Sequence, residues 1–156
     1  MRRDDFRLEF SNVAWLEEGE EARQPTLTIR TDEDSEPLRE RLDGDVDGTL
    51  SAGDVDVTFR FTGDVDEEDT RGVLAIANRV TGEFLLEVNA SGADVVQFVS
   101  AARRYVERTD DAERYRTRVL AGEEPIVDFE KRTLLVYSVD GELLRQHSLI
   151  PSGVEI

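Results

Sequence analysis

Apolar residues recur at every second position in segment after segment of this chain, and one stretch alone switches to three- and four-residue spacing. A period of two places apolar side chains on one face of a strand, and a period near 3.6 places them on one face of a helix. Phe6, Leu8 and Phe10 alternate with Arg7 and Glu9, and the pattern continues loosely to Val13 and Trp15. After an acidic turn at 17–21, residues 26–30 alternate again and read as the second arm of a long hairpin. Val55, Val57, Phe59 and Phe61 share one face of the next strand. Residues 73–77 and 84–88 then read as two adjacent antiparallel strands joined by a tight turn at 80–82. Four more strands are expected at 114–120, 126–129, 134–139 and 143–149, with Asp140-Gly141 as a two-residue hairpin turn between the last pair.

The exception is 91–108. Ser91 is a good N-cap with Asp94 three residues on, and Val95, Phe98, Val99, Ala102, Tyr105 and Val106 follow at helical spacing. Arg103, Arg104 and Arg108 stand in the last turns, where cations suit the helix dipole. A short helix at about 36–42 is also expected, capped by Asp34 or Ser35, with Pro37 in its first turn and Gly44 as its stop. Helices this few cannot cover the crossovers of a parallel α/β sheet. The expectation is one α+β domain over 1–156, a curved antiparallel β-sheet of about eight to nine strands with the long helix laid on it.

Charge sets the conditions under which such a domain folds. There are 36 acidic residues against 19 basic ones, a formal net charge of −17, and Lys131 is the only lysine. An acidic chain with few aromatics can be disordered, but here the apolar positions are periodic and seven Phe, three Tyr and Trp15 supply core anchors. The alternative is a folded protein made for concentrated salt. At about 1 M ionic strength the Debye length is roughly 3 Å, so neighbouring carboxylates are screened, whereas in dilute buffer the same charge opposes compaction. The sequence is read as halophilic. With no cysteine, thiol chemistry and disulfides are excluded. General nucleic-acid binding is not expected against a repulsive field. Without a signal-peptide pattern or an apolar run near 18 residues, the expected location is the cytoplasm, with no membrane contact.

Asp43, Asp45, Asp47 and Gly48 stand at positions 1, 3, 5 and 6 of an EF-hand-like loop, with Asp54 at position 12. Hard cations want several short oxygen ligands on such a loop. Position 12 carries a short Asp in place of the bidentate Glu, however, and the residues after it alternate as a strand rather than forming the second helix. A solvated acidic turn and a weak calcium or magnesium site both fit, and no other cofactor is expected. Catalysis has less to build on. His147 is the sole histidine, beside Gln146 and Ser148, and no phosphate-binding glycine loop or nucleophile motif occurs.

The basic residues are unevenly placed. Residues 1–100 carry 10 Arg and 25 acids, whereas residues 101–156 carry 9 basic and 11 acidic residues. Within that near-neutral third, Arg114, Arg116 and Arg118 alternate along one strand face, opposite Tyr115, Thr117 and Val119. Together with Arg103 and Arg104 they make a candidate strip for an anion or an acidic partner, and Lys131 and Arg132 follow nearby. Pairing with the chain's own carboxylates is the plainer alternative. The ending is unusual in the other direction. Leu149, Ile150, Val154 and Ile156 make it aliphatic with Glu155 as its one charge, so it is expected to pack on its own domain or on another subunit.

Residues 73–88, centred on Asn78-Arg79-Val80-Thr81-Gly82-Glu83-Phe84, resemble a family of uncharacterised haloarchaeal proteins, as does the run 133–137 with the closing 143–156. The resemblance implies a halophilic archaeal source and a single-domain cytoplasmic protein. It implies no activity and carries over no catalytic residue. The leading functional expectation is a non-enzymatic interaction or scaffold protein that self-associates through strand edges or its C-terminal third. A small-anion or weak divalent-cation binding module is the alternative, and an enzyme comes third.

Overall fold

A computed structural model describes residues 6–32, 43–44, 48–49, 55–79, 81–109 and 114–150, with the backbone alone described at 43–44 and 48–49. Strands β1 (Phe6–Ser11) and β2 (Thr26–Thr31) form the expected antiparallel hairpin, with Phe6 opposite Thr31 and Ser11 opposite Thr26. Between them the chain does not prolong β1 to Trp15. Asn12 takes a left-handed φ of 60° and a single helical turn, α1 (Trp15–Glu18), follows. The Trp15 indole N–H donates to the Asn12 carbonyl, and Gly19 closes the turn at φ 68°. This buries Trp15 to 2% exposure, which a strand position beyond the hairpin end could not do.

The fold is α+β, but the strands divide into two four-stranded mixed sheets rather than one curved antiparallel sheet. The first has the order β1-β2-β8-β9, with β8 Tyr115–Ala121 and β9 Glu124–Lys131. The second has the order β10-β5-β6-β7, from Leu135–Tyr137, Val55–Phe61, Arg71–Asn78 and Phe84–Ser91. A further pair of two-residue strands, β3 (Asp43–Gly44) and β4 (Gly48–Thr49), runs antiparallel. The unexpected pairs are the parallel ones, β2 with β8 and β10 with β5. Parallel neighbours need a long crossover. Here the route from β2 to β8 runs through three strands of the second sheet, Val55–Phe61, Arg71–Asn78 and Phe84–Ser91, and then the helix. Period-two spacing marks a strand and says nothing about its neighbour, so these pairings had no local signature.

Helix α2 (Gly92–Arg108) forms where its spacing placed it, with the Asp94 N–H on the Ser91 hydroxyl. Val95, Phe98, Val99, Ala101 and Ala102 are buried. The Phe98 ring meets Phe10 at 5.0 Å and Tyr115 at 5.4 Å between centroids, so the helix closes over β1 and β8. One buried cluster takes side chains from both sheets and the helix, including Leu27, Ile29, Phe59, Phe61, Leu74 and Val119. The edge strands β1 and β7 approach each other. At another joint Lys131 Nζ, on a side chain only 6% exposed, donates to the Val55 carbonyl at 2.8 Å.

The last expected strand is also different. After β10 the chain turns at Asp140-Gly141, with the Gly141 N–H on the Ser138 carbonyl at 2.9 Å, and returns through isolated bridges at Tyr137–Leu143 and Leu134–Leu149 rather than a continuous strand. Between those bridges lies a 3-10 turn, Arg145–His147. Side chains satisfy the backbone there in place of a ladder. The Ser148 hydroxyl accepts from the Val136 N–H at 2.9 Å and donates to the Leu144 carbonyl at 2.8 Å. Arg103 donates to the carbonyls of Arg145 and Ser148, at 3.2 and 2.6 Å. The expected short helix at 36–42 lies outside the described residues.

Candidate functional site

Of the four loop aspartates, Asp43 stands opposite Thr49 in the β3–β4 pair. Asp45, Asp47 and Asp54 lie outside the described residues, and among the described residues no three His, Asp or Glu side chains are grouped to hold a metal. His147 has its ring edge-on to Phe61, 6.5 Å between centroids. Burial and the nearby Arg103 cation hold its pKa below the ordinary histidine value, with Asp66 opposing them.

The arginines divide into two groups. On β8, Tyr115, Thr117 and Val119 point inward and Arg116 and Arg118 outward, as the alternation requires. Both outward arginines meet one carboxylate across the ladder. Arg116 donates through Nε and Nη2 to the two oxygens of Asp128, and Arg118 Nε stands 3.6 Å from Asp128 Oδ2. That fork raises the Arg116 pKa. Arg104 stands 3.5 Å from Glu107, one turn along the helix, and Arg108 lies over the Trp15 ring at 5.5 Å. Arg114 is different. It is half-buried, its backbone N–H is fixed on the Lys131 carbonyl at 3.0 Å, and no described carboxylate touches its guanidinium. Burial lowers its pKa, and the cations of Arg103 and Arg132 lower it further. Arg103 also lines a groove of about 640 Å³ with Ser100, Arg104, Glu107 and Arg108.

Leu149 is fully buried and its N–H and carbonyl are both bonded to Leu134, so this part of the ending packs on its own chain. Ile150 is half-buried. Val154 and Ile156 lie outside the described residues.

One surface escaped the sequence reading. The outer face of the β10-β5-β6-β7 sheet carries an open groove of about 680 Å³, floored by Thr58, Val73 and Ala75 and flanked by Phe84, Tyr137 and Val139. Phe84 and Val139, 55% and 43% exposed, are the large hydrophobic residues left exposed among the described ones, and both stand at this groove. Its charged lining is one Arg60 and one Glu87. A signal was present. Val73-Leu74-Ala75-Ile76-Ala77 is apolar at successive positions, the pattern of a strand covered on both faces. In this chain only the Leu74 and Ile76 face meets the core.

No helix among the described residues is long and apolar enough to cross a membrane. No curated protein and no solved structure matches the chain. The family model that does match covers residues 1–156, and the chain belongs to that family, a family of unknown function, DUF5793.

Proposed function

We propose that this is a non-enzymatic interaction protein of a salt-filled haloarchaeal cytoplasm, and that it pairs with a second copy of itself through the open face of the second sheet. The observation that carries this reading is the groove between Phe84 and Val139, an apolar surface with a balanced charge on a chain of net charge −17. Two copies repel over most of their surfaces and least where acids are few and balanced, as Glu87 is by Arg60, so this face favours self-pairing over an edge or loop contact. The same face is its own complement, as a two-fold interface requires. Phe84 projects, while Ala75 and Thr58 leave a shallow floor. Arg60 lies beside Val73 on β6 and Glu87 beside Ala75 from the other side. A two-fold axis running along β6 therefore sets β5 of one copy over β7 of the other, and Arg60 toward Glu87.

Burying a large apolar side chain is worth roughly 1.5–3 kcal/mol, so Phe84 and Val139 from two copies make a useful contribution. Sedimentation in molar potassium chloride tests the reading. A dimer that Phe84→Asp and Val139→Asp each convert to a monomer, with unchanged circular dichroism, is expected. A monomer at every concentration, or a dimer indifferent to both substitutions, overturns it.

A further inference from the structure

On the outward face of α2 cations outnumber carboxylates, in a chain of net charge −17. Ser100, Arg103, Arg104, Glu107 and Arg108 recur at three- and four-residue spacing, opposite the buried Phe98 and Ala102, and together they line the open groove of about 640 Å³. Helix geometry sets these side chains next to one another. Two of the arginines are held at the flanks by neutral groups. Arg103 Nη2 donates to the carbonyls of Arg145 and Ser148, which leaves the N–H groups of its Nε and Nη1. Arg108 lies over the Trp15 ring. These contacts position the two side chains without neutralising them. Arg104, between them, meets Glu107 at 3.5 Å in an exposed pair, weak enough to give way to a better-placed carboxylate.

We infer that this groove is a docking site for an extended acidic segment of a partner protein, with carboxylates at alternate positions. Charge complementarity selects an anionic partner, since three guanidinium groups line the groove against Glu107 alone. Spacing selects its form. Arg104 and Arg108 are one turn apart, about 6 Å along the helix axis, and side chains two residues apart on an extended segment are about 6.6 Å apart. Each carboxylate then meets one guanidinium in the bidentate geometry that suits it. Glu107 and Ser100 favour a peptide over a phosphodiester chain, because both accept hydrogen bonds and a peptide backbone brings N–H donors. Such pairing at contact range survives a Debye length of roughly 3 Å at about 1 M salt, whereas the counterion release behind nucleic-acid affinity fades there. The groove shares no residue with the self-pairing face, so the two readings fail independently.

Fluorescence anisotropy of a short labelled peptide of alternating Glu and Thr, titrated with the full chain at fixed potassium chloride, tests the site. The comparisons are the same peptide with Gln for Glu and a single-stranded oligonucleotide. Saturable binding of the Glu peptide but not of the Gln peptide is expected. Arg104→Gln and Arg108→Gln should each weaken it by about fivefold, the cost of losing one charge-assisted contact. Arg104 touches only the exposed Glu107, so its variant keeps the fold and circular dichroism should be unchanged. Arg116→Gln, on β8 and outside the groove, should leave binding as it is. No saturable binding of the Glu peptide, equal binding by Arg104→Gln, or equal binding of the Gln peptide overturns the site. So does an oligonucleotide that binds more tightly than the Glu peptide, which would make the groove a contact for nucleic acid.

Discussion

Thr117 occupies a fully buried position on β8 between Tyr115 and Val119, and its hydroxyl has no hydrogen-bond partner. The neighbouring Tyr115 solves the same problem by donating its hydroxyl to the Thr133 carbonyl at 2.7 Å, and burial drives its pKa well above the ordinary phenol value. An unsatisfied buried hydroxyl costs about 1–3 kcal/mol. Thr117→Val removes the hydroxyl and keeps the branched shape. The variant should be about 1 kcal/mol more stable by urea denaturation at fixed salt. His147 gives a pH dependence of definite sign. Its folded pKa lies below the unfolded value because burial and Arg103 disfavour the imidazolium. The unfolded chain therefore takes up the proton first, so the contribution is complete above about pH 6.5 and is lost as pH falls through the folded pKa. An NMR titration should place the His147 midpoint below 6.5, and Arg103→Gln should move it upward.

Among the elements, legibility followed the range of the forces involved. The helix at 92–108 was readable to within a residue, because its cap, its apolar face and its last-turn arginines all lie within the segment itself. The hairpins β1–β2 and β6–β7 were readable for the same reason, since Gly82 at φ 74° and the alternating arms are local. The division into two sheets was not. It depends on which strand finds β2 and which finds β5, and Leu135–Tyr137 carries no mark of a parallel partner at Thr58–Arg60. The 3-10 turn at Arg145–His147 was hidden because its backbone is satisfied by Ser148 and by Arg103, more than forty residues away. Of the candidate arginine strip, the inward and outward alternation was readable. That Asp128 holds two of its members is a cross-strand event that spacing alone does not encode.

At the scale of the whole molecule, charge outweighs any single contact. The loops at 17–21 and 66–69 hold exposed carboxylates, of which Glu20 meets Arg23 at 3.2 Å, and elsewhere on the surface stand pairs such as Arg79–Asp56 at 2.8 Å and Arg7–Asp32 at 3.2 Å. Surface pairs of this kind contribute about 0–1 kcal/mol each, which cannot offset the repulsion of −17 in dilute buffer. Circular dichroism across a potassium chloride titration should show a folded chain near 1 M and a melting temperature that falls steeply as salt is withdrawn, because screening shortens the Debye length to roughly 3 Å at that concentration.

The joint made by Lys131 gives this protein a built-in chemical clock. Its ammonium is the one lysine amine in the chain, and it is spent on the Val55 carbonyl between the end of β9 and the start of β5. An amine-acylating reagent that leaves arginine untouched finds this group only when the two sheets part. The rate at which Lys131 acquires an acyl mass tag, followed by peptide mass spectrometry, therefore counts the openings of that seam. Measured over a range of salt concentrations, it distinguishes a molecule that loosens first between its sheets from one that unfolds all at once.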